Sequence, residues 1–222
     1  MELLQERLGG AGKALGIEID EQAAERLFFF LGELAKWNKA YNLVGRRTAW
    51  PELVEHCIDS LSPLLVTGTI GGDNRAIDIG TGAGFPGIPL YLAGDPFDLV
   101  LLEVVRKKVA FLRHVKRSMG LEKIQVEGLR AEDAAKQQGM KAAFDLVLMR
   151  AVADWRKALT LGKGFLKQGG RMVLLAGSGA ADELGRAQTH LEKTGFRLER
   201  TRSSRRLTGR DTVVLSLERT AG

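Results

Sequence analysis

The chain has little cysteine and no long hydrophobic run, and these two shortages exclude several classes of protein. Its 222 residues include one cysteine, Cys57. One thiol cannot form a disulfide framework, a CxxC redox pair or a cysteine-rich zinc site. We therefore expect the reducing cytoplasm as its location. No apolar stretch is long enough to span a bilayer, and the first residues do not follow the pattern of a signal peptide.

Negative charge is also in deficit. The chain has 33 Lys and Arg against 27 Asp and Glu, giving a formal net charge of +6 and a pI near 9.6. The cations concentrate in residues 106–117 and 197–210. A basic face indicates a polyanionic partner, with RNA as the first candidate, although such a face can also be merely solvated. In the first segment, the cations predicted to contact an RNA backbone are Arg106, Lys107, Arg113, Lys116 and Arg117.

The first part of the chain is predicted to be helical. Apolar spacing predicts a helix over 21–37, with Asp20 as its N-cap and asparagines at 38 and 42 as stop signals. A second helix is predicted to begin at Pro51, because proline is tolerated in the first turn. The glycine-rich turn before residue 75 ends this part. We therefore predict a helical extension, residues 1–68, and a second unit, residues 69–222.

The second unit alternates between strand and helix patterns, which predicts an α/β fold with a mostly parallel sheet. Two final strand patterns, near 196–201 and 212–217, have no helical pattern between them and predict an antiparallel hairpin that completes a seven-stranded sheet. The other predicted strands are 75–80, 97–103, 122–127, 144–149 and 171–176. The predicted helices are about 85–94, 105–119, 131–138 and 153–166.

A glycine-rich segment follows the first predicted strand and carries the clearest functional signal. Asp78 stands two residues before Gly80, and further glycines follow at Gly82 and Gly84. Glycines let a backbone approach a nucleotide-like ligand closely. A pyrophosphate needs bare N–H donors rather than a carboxylate, so the acid favours a cationic ligand such as S-adenosylmethionine. In isolation the glycines also match a dinucleotide pattern, G-x-G-x-x-G, which leaves that alternative open.

A second acid, Glu103, ends the next predicted strand. A carboxylate at this place is expected to accept the ribose hydroxyls in either cofactor class. Glu103 therefore favours an adenosine-containing ligand without separating a methyl donor from a dinucleotide.

Several motifs in order along the chain resemble one bacterial family, the glucose-inhibited division protein B family, which methylates N7 of a guanine in 16S rRNA. The continuation Phe85-Pro-Gly-Ile-Pro and the Arg-Ala after the fourth strand are its most specific features. The motifs are Trp37-Asn-Lys-Ala-Tyr-Asn-Leu43, His56-Cys-Ile-Asp-Ser-Leu61, Asp78 to Leu90, Glu103 to Arg113, Arg130-Ala-Glu132, Phe144 to Ala151 and Leu166 to Arg171.

The resemblance implies a class I S-adenosylmethionine-dependent methyltransferase fold and a set of site residues. It places Ala131 and Glu132 at the adenine of the cofactor and Arg150 at the mouth where the guanine enters. The expected cofactor-binding residues are Asp78, Gly80, Gly82, Gly84, Phe85, Glu103, Ala131, Glu132 and Arg150. The expected catalytic residues are Arg150 and Arg130. The implied partner is 16S rRNA, a small ribosomal subunit or an assembly intermediate. Because no long apolar surface stripe demands a dimer, we expect a monomer, and because no third ligand accompanies His56 and Asp59, we expect no metal.

Two positions depart from the family pattern. Where the family usually has lysine after the fifth strand, this chain has Ala176, so a substrate-side cation is missing or comes from elsewhere. Where the asparagine-leucine motif usually continues into threonine, this chain has Val44. Both departures concern RNA contacts rather than the cofactor.

Methyl transfer to N7 needs no general base, because this nitrogen carries a lone pair and no proton, and the sequence offers no obvious base. Enzymes that methylate exocyclic amines commonly carry Asn/Asp-Pro-Pro-Tyr after the fourth strand, where this chain has Met149-Arg-Ala-Val-Ala. Cytosine C5 methylation needs a cysteine near the site, and Cys57 lies among the N-terminal helices.

Individual side chains keep alternative interpretations. Arg150 can serve the RNA or form a salt bridge with Asp78 or Glu103, and Arg130 can bind a phosphate or cap a strand. His56 and Asp59, three apart on one helix face, are interpreted as capping or packing residues rather than metal ligands. Trp37, Tyr41 and Asn42 can stack on bases or pack in the core.

Three other functions remain open at this point. The chain can be a methyltransferase for small molecules, a non-catalytic RNA-binding factor or a dehydrogenase. The acid before the glycines and the terminal hairpin disfavour the last.

Overall fold

The computed structural model of the chain describes residues 1–151 and 154–220. Within these residues seven strands form one sheet in the order β3-β2-β1-β4-β5-β7-β6. The first five run parallel, and β7 is antiparallel to both β5 and β6. The predicted α/β class with a C-terminal hairpin is confirmed. The strands are β1 Arg75–Ile79, β2 Asp98–Leu102, β3 Ile124–Glu127, β4 Phe144–Arg150, β5 Leu166–Gly177, β6 Phe196–Ser203 and β7 Thr212–Arg219.

Eleven helices of the described residues precede or connect these strands. Within the described part of the chain, no helix is both long enough and apolar enough to cross a membrane. The helices are α1 Glu2–Leu15, α2 Glu21–Tyr41, α3 Trp50–Asp59, α4 Leu64–Thr67, α5 Gly87–Leu92, α6 Arg106–Ser118, α7 Ala131–Ala134, α8 Trp155–Phe165, α9 Ser178–Gly185, α10 Gln188–Thr194 and α11 Arg205–Thr208.

Helix α2 begins as predicted but ends later. Asp20 is its N-cap, and the side chain accepts a hydrogen bond from the N–H of Ala23 at 2.7 Å. The stop predicted at Asn38 is wrong, since the helix continues to a left-handed C-cap at Asn42. The Asn38 side chain instead accepts the N–H of Leu43 at 2.7 Å. It therefore stabilises the turn that follows the helix.

The strands alternate their apolar residues between two hydrophobic clusters, one on each face of the sheet. Leu146 and Leu148 of β4 belong to the first cluster, and Val147 belongs to the second. The first cluster also contains the apolar faces of α1, α2 and α3. The N-terminal helices thus share one core with the sheet, and the division into units 1–68 and 69–222 stays a prediction.

Two predicted boundaries in the second unit are wrong, and helices α9, α10 and α11 were not predicted. Strand β5 begins at Leu166 rather than residue 171, because Leu166 already pairs with Phe144, and the Lys-Gln-Gly-Gly segment forms an irregularity before pairing resumes between Arg171 and Leu146. The helix predicted over 131–138 ends at Ala134. One helical turn, α11, separates β6 from β7, although its four residues are too few to show a helical period. The first residue of the helix predicted over 153–166 lies outside the described residues.

Candidate cofactor and substrate site

The carboxyl ends of the parallel strands meet at one edge of the sheet and define the candidate site. Asp78 pairs with Leu148, and Ile79 pairs with Leu102, so β1, β2 and β4 end at a similar level. In open parallel sheets, ligands bind in the crevice beyond these ends. The glycine turn after β1, Glu103 after β2 and Arg150 at the end of β4 are therefore brought together.

Asp78 is fully buried and holds the glycine turn in place. Its Oδ2 accepts hydrogen bonds from the Thr81 hydroxyl at 2.6 Å and from the Gly87 N–H at 2.8 Å. Its Oδ1 has no hydrogen-bond partner in residues 1–151 and 154–220. Burial, partly offset by these hydrogen bonds, raises the pKa of Asp78 to about 6. One carboxylate oxygen thus shapes the turn, and the other is unpaired.

Two glycines of the turn are required for different reasons. Gly80 and Gly84 have φ of 71° and 98°, which disfavour any residue with a Cβ. A Cβ on Gly84 would collide with Ile88 and approach Leu112 to 3.3 Å. A Cβ on Gly80 would have no heavy atom of the described residues within 4 Å. Gly84 is therefore required by packing, whereas Gly80 borders open space.

The Glu103 carboxylate is held by three backbone N–H groups. Oε2 accepts from Gly82 at 3.0 Å, and Oε1 accepts from Val104 at 2.8 Å and Val105 at 2.9 Å. A carboxylate has about four lone-pair sites. These three bonds fix its orientation and leave acceptor capacity on Oε2.

Arg150 forms its ion pair with a residue that the sequence did not suggest. Its Nη1 lies 3.7 Å from Oδ2 of Asp59, and its guanidinium carbon lies 5.2 Å from the centre of the Phe85 ring. The predicted alternative partners, Asp78 and Glu103, are not paired with it. Asp59 is 8% exposed and Arg150 24% exposed at the side chain. The guanidinium is therefore held over Phe85 beside the glycine turn.

A further polar side chain of α3, His56, lies next to Phe85. The His56 ring centre is 5.8 Å from that of Phe85. Burial first, and then the charges of Arg150 and Arg210, lower the pKa of His56 to about 4. Burial raises the pKa of Asp59, and the same two arginines oppose that rise. His56 is thus a neutral imidazole near pH 7.

The residues expected at the adenine lie after β3, at the same edge. Arg130 is the N-cap residue of α7 and is exposed, as is Glu132, whereas Ala131 is half-buried against the second hydrophobic cluster. Strand β3 pairs with β2 and is separated from β4 by two strands. Arg130 and Arg150 therefore stand on different sides of the glycine turn.

The aromatic residues of α2 divide between the two predicted roles. Trp37 packs against Phe111 and His114, with ring centres 5.7 and 5.1 Å apart. Tyr41 is 49% exposed. Asn42 is exposed at the helix end. Trp37 is therefore a packing residue, and stacking on a base stays a prediction for Tyr41.

Sequence reasoning missed three features of the site. Asp59 and Thr81 were not assigned to it. Asp59 pairs with the distant Arg150, whereas Thr81 bonds to Asp78 three residues away. Ala151 adopts a left-handed conformation, with φ of 57°, directly after Arg150. Such strain in a residue with a Cβ is often found at functional positions. A signal was available for Asp59, which belongs to the His56 to Leu61 motif, and for Thr81, which belongs to the Asp78 to Leu90 motif.

No group of three or more His, Cys, Asp and Glu side chains that could hold a metal ion occurs among the residues that the structure describes. A cavity of about 760 Å³ lies at the opposite edge of the sheet and is lined by residues such as Asp20, Arg26, Asn74 and Asp95. These residues precede β1 and β2 or belong to α2. The candidate site is accordingly identified by its residues rather than by cavity size.

Comparisons with known proteins identify the family of the chain. The family model GidB, described as rRNA small subunit methyltransferase G, matches residues 23–209. A protein named ribosomal RNA small subunit methyltransferase G from Syntrophotalea carbinolica is 28% identical over 220 residues, covering 99% of this chain and 100% of that relative. One with the same name from Symbiobacterium thermophilum is 34% identical over 205 residues, covering 90% and 81%.

Solved structures share the fold. A SAM dependent methyltransferase from Aquifex aeolicus superposes with a TM-score of 0.57 at 19% identity, covering 77% of this chain and 94% of that one. The M. jannaschii TYW2 structure in complex with AdoMet gives 0.55 at 17% identity, covering 74% and 76%. The class I methyltransferase fold predicted from the sequence is confirmed. With the match over residues 23–209, the chain belongs to the rRNA small subunit methyltransferase G family.

Proposed function

We propose that the chain binds S-adenosylmethionine across its glycine turn and transfers the methyl group to N7 of a guanine in 16S rRNA. Family membership gives the class of reaction, methylation of small-subunit rRNA. The observation that carries the residue assignment is the position of Arg150, held over Phe85 by Asp59 next to the glycine turn.

The residues around the turn fit a cationic adenosyl ligand. The open space at Gly80 leaves room for a ligand against the backbone. Oε2 of Glu103 has capacity to accept a ribose hydroxyl. The buried and unpaired Oδ1 of Asp78 suits a positive charge. Two carboxylates at the turn would repel a pyrophosphate, which argues against a dinucleotide.

The other predicted cofactor residues are proposed by position. We assign Gly82, Gly84 and Phe85 to the turn that surrounds the cofactor. Ala131 and Glu132, at the start of α7, would flank its adenine. When bound, S-adenosylmethionine supplies an electrophilic methyl group and leaves as a neutral thioether.

The protein contributes alignment rather than proton transfer in this reaction, because N7 of guanine has no proton to lose. Arg150 would donate to guanine O6 or to a flanking phosphate and leave the N7 lone pair free. Arg130, exposed on the other side of the turn, would bind a phosphate. Burial raises the pKa of Cys57 to about 12, which excludes it as a nucleophile near neutral pH.

A transfer assay tests the proposal directly. Tritiated S-adenosylmethionine is incubated with 16S rRNA or small subunits, and the labelled nucleoside is identified by mass spectrometry. We expect 7-methylguanosine, with loss of activity in Arg150→Ala but not in Arg171→Ala, an arginine paired with Glu199 away from the site. Label on another atom contradicts N7 specificity, and cofactor binding without transfer indicates an RNA-binding factor.

The proposed displacement needs no metal. We further propose that the chain acts in the cytoplasm as a monomer. Sedimentation of the purified protein, with and without rRNA, measures the oligomeric state.

A further inference from the structure

The connection between β6 and β7 lies at the same edge of the sheet as Arg150. Thr212, the first residue of β7, pairs with Gly177, the last residue of β5, and Ser203 at the end of β6 pairs with Val213. Residues 204–211 therefore extend beyond the carboxyl end of β5. Arg150 at the end of β4 pairs with Leu175. The connection between β6 and β7 therefore lies at the candidate-site edge of the sheet.

This connection is fixed against helix α3. Ser204 is buried, and its N–H donates to the Thr212 carbonyl at 2.9 Å. The Arg7 guanidinium donates to the Leu207 carbonyl at 3.3 Å and to both carboxylate oxygens of Glu55, in α3, at 2.7 and 2.8 Å. Helix α3 also carries His56 and Asp59. These hydrogen bonds therefore fix the position of the connection next to the helix that carries Asp59, the partner of Arg150.

The arginines of the hairpin differ between its two ends. At the far end, Arg197 pairs with Glu218 at 2.5 Å. At the connection, Arg205, Arg206 and Arg210 are exposed, and no carboxylate of residues 1–151 or 154–220 forms a salt bridge with them. Three neighbouring cations that form no salt bridge within the described residues favour the binding of an anionic ligand.

The charge of Arg210 affects two residues of the candidate site. It lowers the pKa of both His56 and Asp59, as a secondary cause after burial and the charge of Arg150. Ala176 is buried opposite Val213 and brings no cation to the end of β5. Arg210 therefore supplies positive charge at a place where the strand itself has none.

We propose that Arg210, with Arg205 and Arg206, binds a backbone phosphate of the RNA close to the guanine that enters beside Arg150. The guanidinium fork suits a phosphate bidentately, and an exposed cluster can hold one without base specificity. This inference rests on the proposed rRNA substrate. It adds a second, sequence-independent contact that positions the RNA while Arg150 meets the target base.

Binding of 16S rRNA by charge-reversal variants tests the inference separately from the reaction. Arg210→Glu should raise the Kd about tenfold near 0.1 M salt and lower the slope of log K against log salt by about one. The matched control is Lys193→Glu, the same charge change on α10, where an exposed lysine lies at the opposite edge of the sheet. Arg210→Lys should retain most of the affinity, and S-adenosylmethionine binding should not change in any variant.

The outcomes separate the two proposals. Wild-type affinity and salt slope in Arg210→Glu, with the fold intact by circular dichroism, would overturn the phosphate contact. Equal losses in Lys193→Glu would show that only net charge matters, which also overturns it. A wild-type protein that binds rRNA with the predicted Arg210 dependence but transfers no methyl group would instead remove the proposed function.

Discussion

Two glycines of the same turn should respond differently to the same substitution. Gly80→Ala places a Cβ in open space, so it should cost about 1 to 2 kcal/mol of stability from its positive φ and remove most cofactor affinity. Gly84→Ala adds a clash with Ile88 and should cost about 2 to 5 kcal/mol. Thermal unfolding and calorimetry with S-adenosylmethionine measure the two effects. If Gly80→Ala and Gly84→Ala lose the same cofactor affinity and the same stability, this division between the two glycines is wrong.

Asp78 should make stability depend on pH. Its pKa of about 6 in the folded chain lies above the ordinary value of 3.8, so the folded state binds more protons between these values. The contribution of Asp78 to the unfolding free energy should therefore fall, by up to about 3 kcal/mol, as pH rises from 4 to 7. His56, with a folded pKa lowered to about 4, contributes in the opposite direction.

Asp78→Asn isolates the Asp78 contribution from that of His56. Because Asn cannot ionise, the variant should gain stability relative to the wild type as pH rises through 6. Denaturant unfolding of both proteins at several pH values measures this difference. Arg150 and Glu103 also act on Asp78, in opposite directions, and are present in both proteins. A difference independent of pH would contradict the raised pKa.

Asp59 should matter for both activity and stability. Asp59→Asn leaves the largely buried Arg150 guanidinium without its carboxylate partner, so it should lower the unfolding free energy by about 1 to 3 kcal/mol. Without the ion pair, Arg150 loses its position over Phe85. We expect kcat for rRNA methylation to fall about ten- to a hundredfold.

A carboxylate at the other edge of the sheet provides the control for Asp59. Asp145 pairs with Lys167 at 2.8 Å, away from the candidate site. Asp145→Asn should leave kcat unchanged. Unchanged kcat in Asp59→Asn as well would mean that Arg150 needs no carboxylate to act.

At the scale of the elements, the two ends of helix α6 should contribute differently to RNA binding. Arg106 and Lys107 begin the helix at the candidate-site edge, and Lys116 and Arg117 end it roughly 15 Å away. Reversal of the first pair to glutamate should weaken rRNA binding by tenfold or more, on the order of two phosphate contacts, and reduce its salt dependence. Reversal of the second pair should have a smaller effect. Equal effects at both ends would indicate that RNA follows the whole helix.

The elements were easier to predict from the sequence than the contacts between them. Apolar period and turn residues sufficed for the parallel strands, the N-cap at Asp20 and the glycine turn. Helix α11 was missed because its single turn has one apolar residue, Leu207, and hydrogen bonds with Ser204 and Arg7 rather than an apolar period hold it in place. The pairing of Asp59 with Arg150 joins distant segments, which no single-sequence pattern encodes.

At the scale of the whole molecule, the N-terminal helices and the sheet should unfold together. Phe30 of α2 contacts Phe85 and Phe111, with ring centres 5.6 and 6.3 Å apart, and is fully buried. Phe30→Ala should lower the free energy of unfolding by about 3 to 5 kcal/mol. It should lower it for the whole chain, because the first hydrophobic cluster joins both parts.

A probe on the opposite face of the sheet checks this cooperativity. Trp155 belongs to the second cluster, so a Trp37→Phe, Trp50→Phe background leaves its fluorescence as a remote reporter. The Trp155 signal and circular dichroism should shift equally in Phe30→Ala. An unshifted Trp155 transition would show instead that residues 1–68 unfold as a separate unit.

The burial of Cys57 has a practical consequence for mapping the ribosomal complex. Its thiolate is almost absent at neutral pH, and its sulfur is shielded from solvent. Alkylating reagents should therefore leave Cys57 of the native protein unlabelled. A cysteine introduced at any exposed position would then be the single reactive thiol. Site-directed crosslinkers or dyes could be attached at either edge of the sheet without background, and could report which edge approaches the RNA.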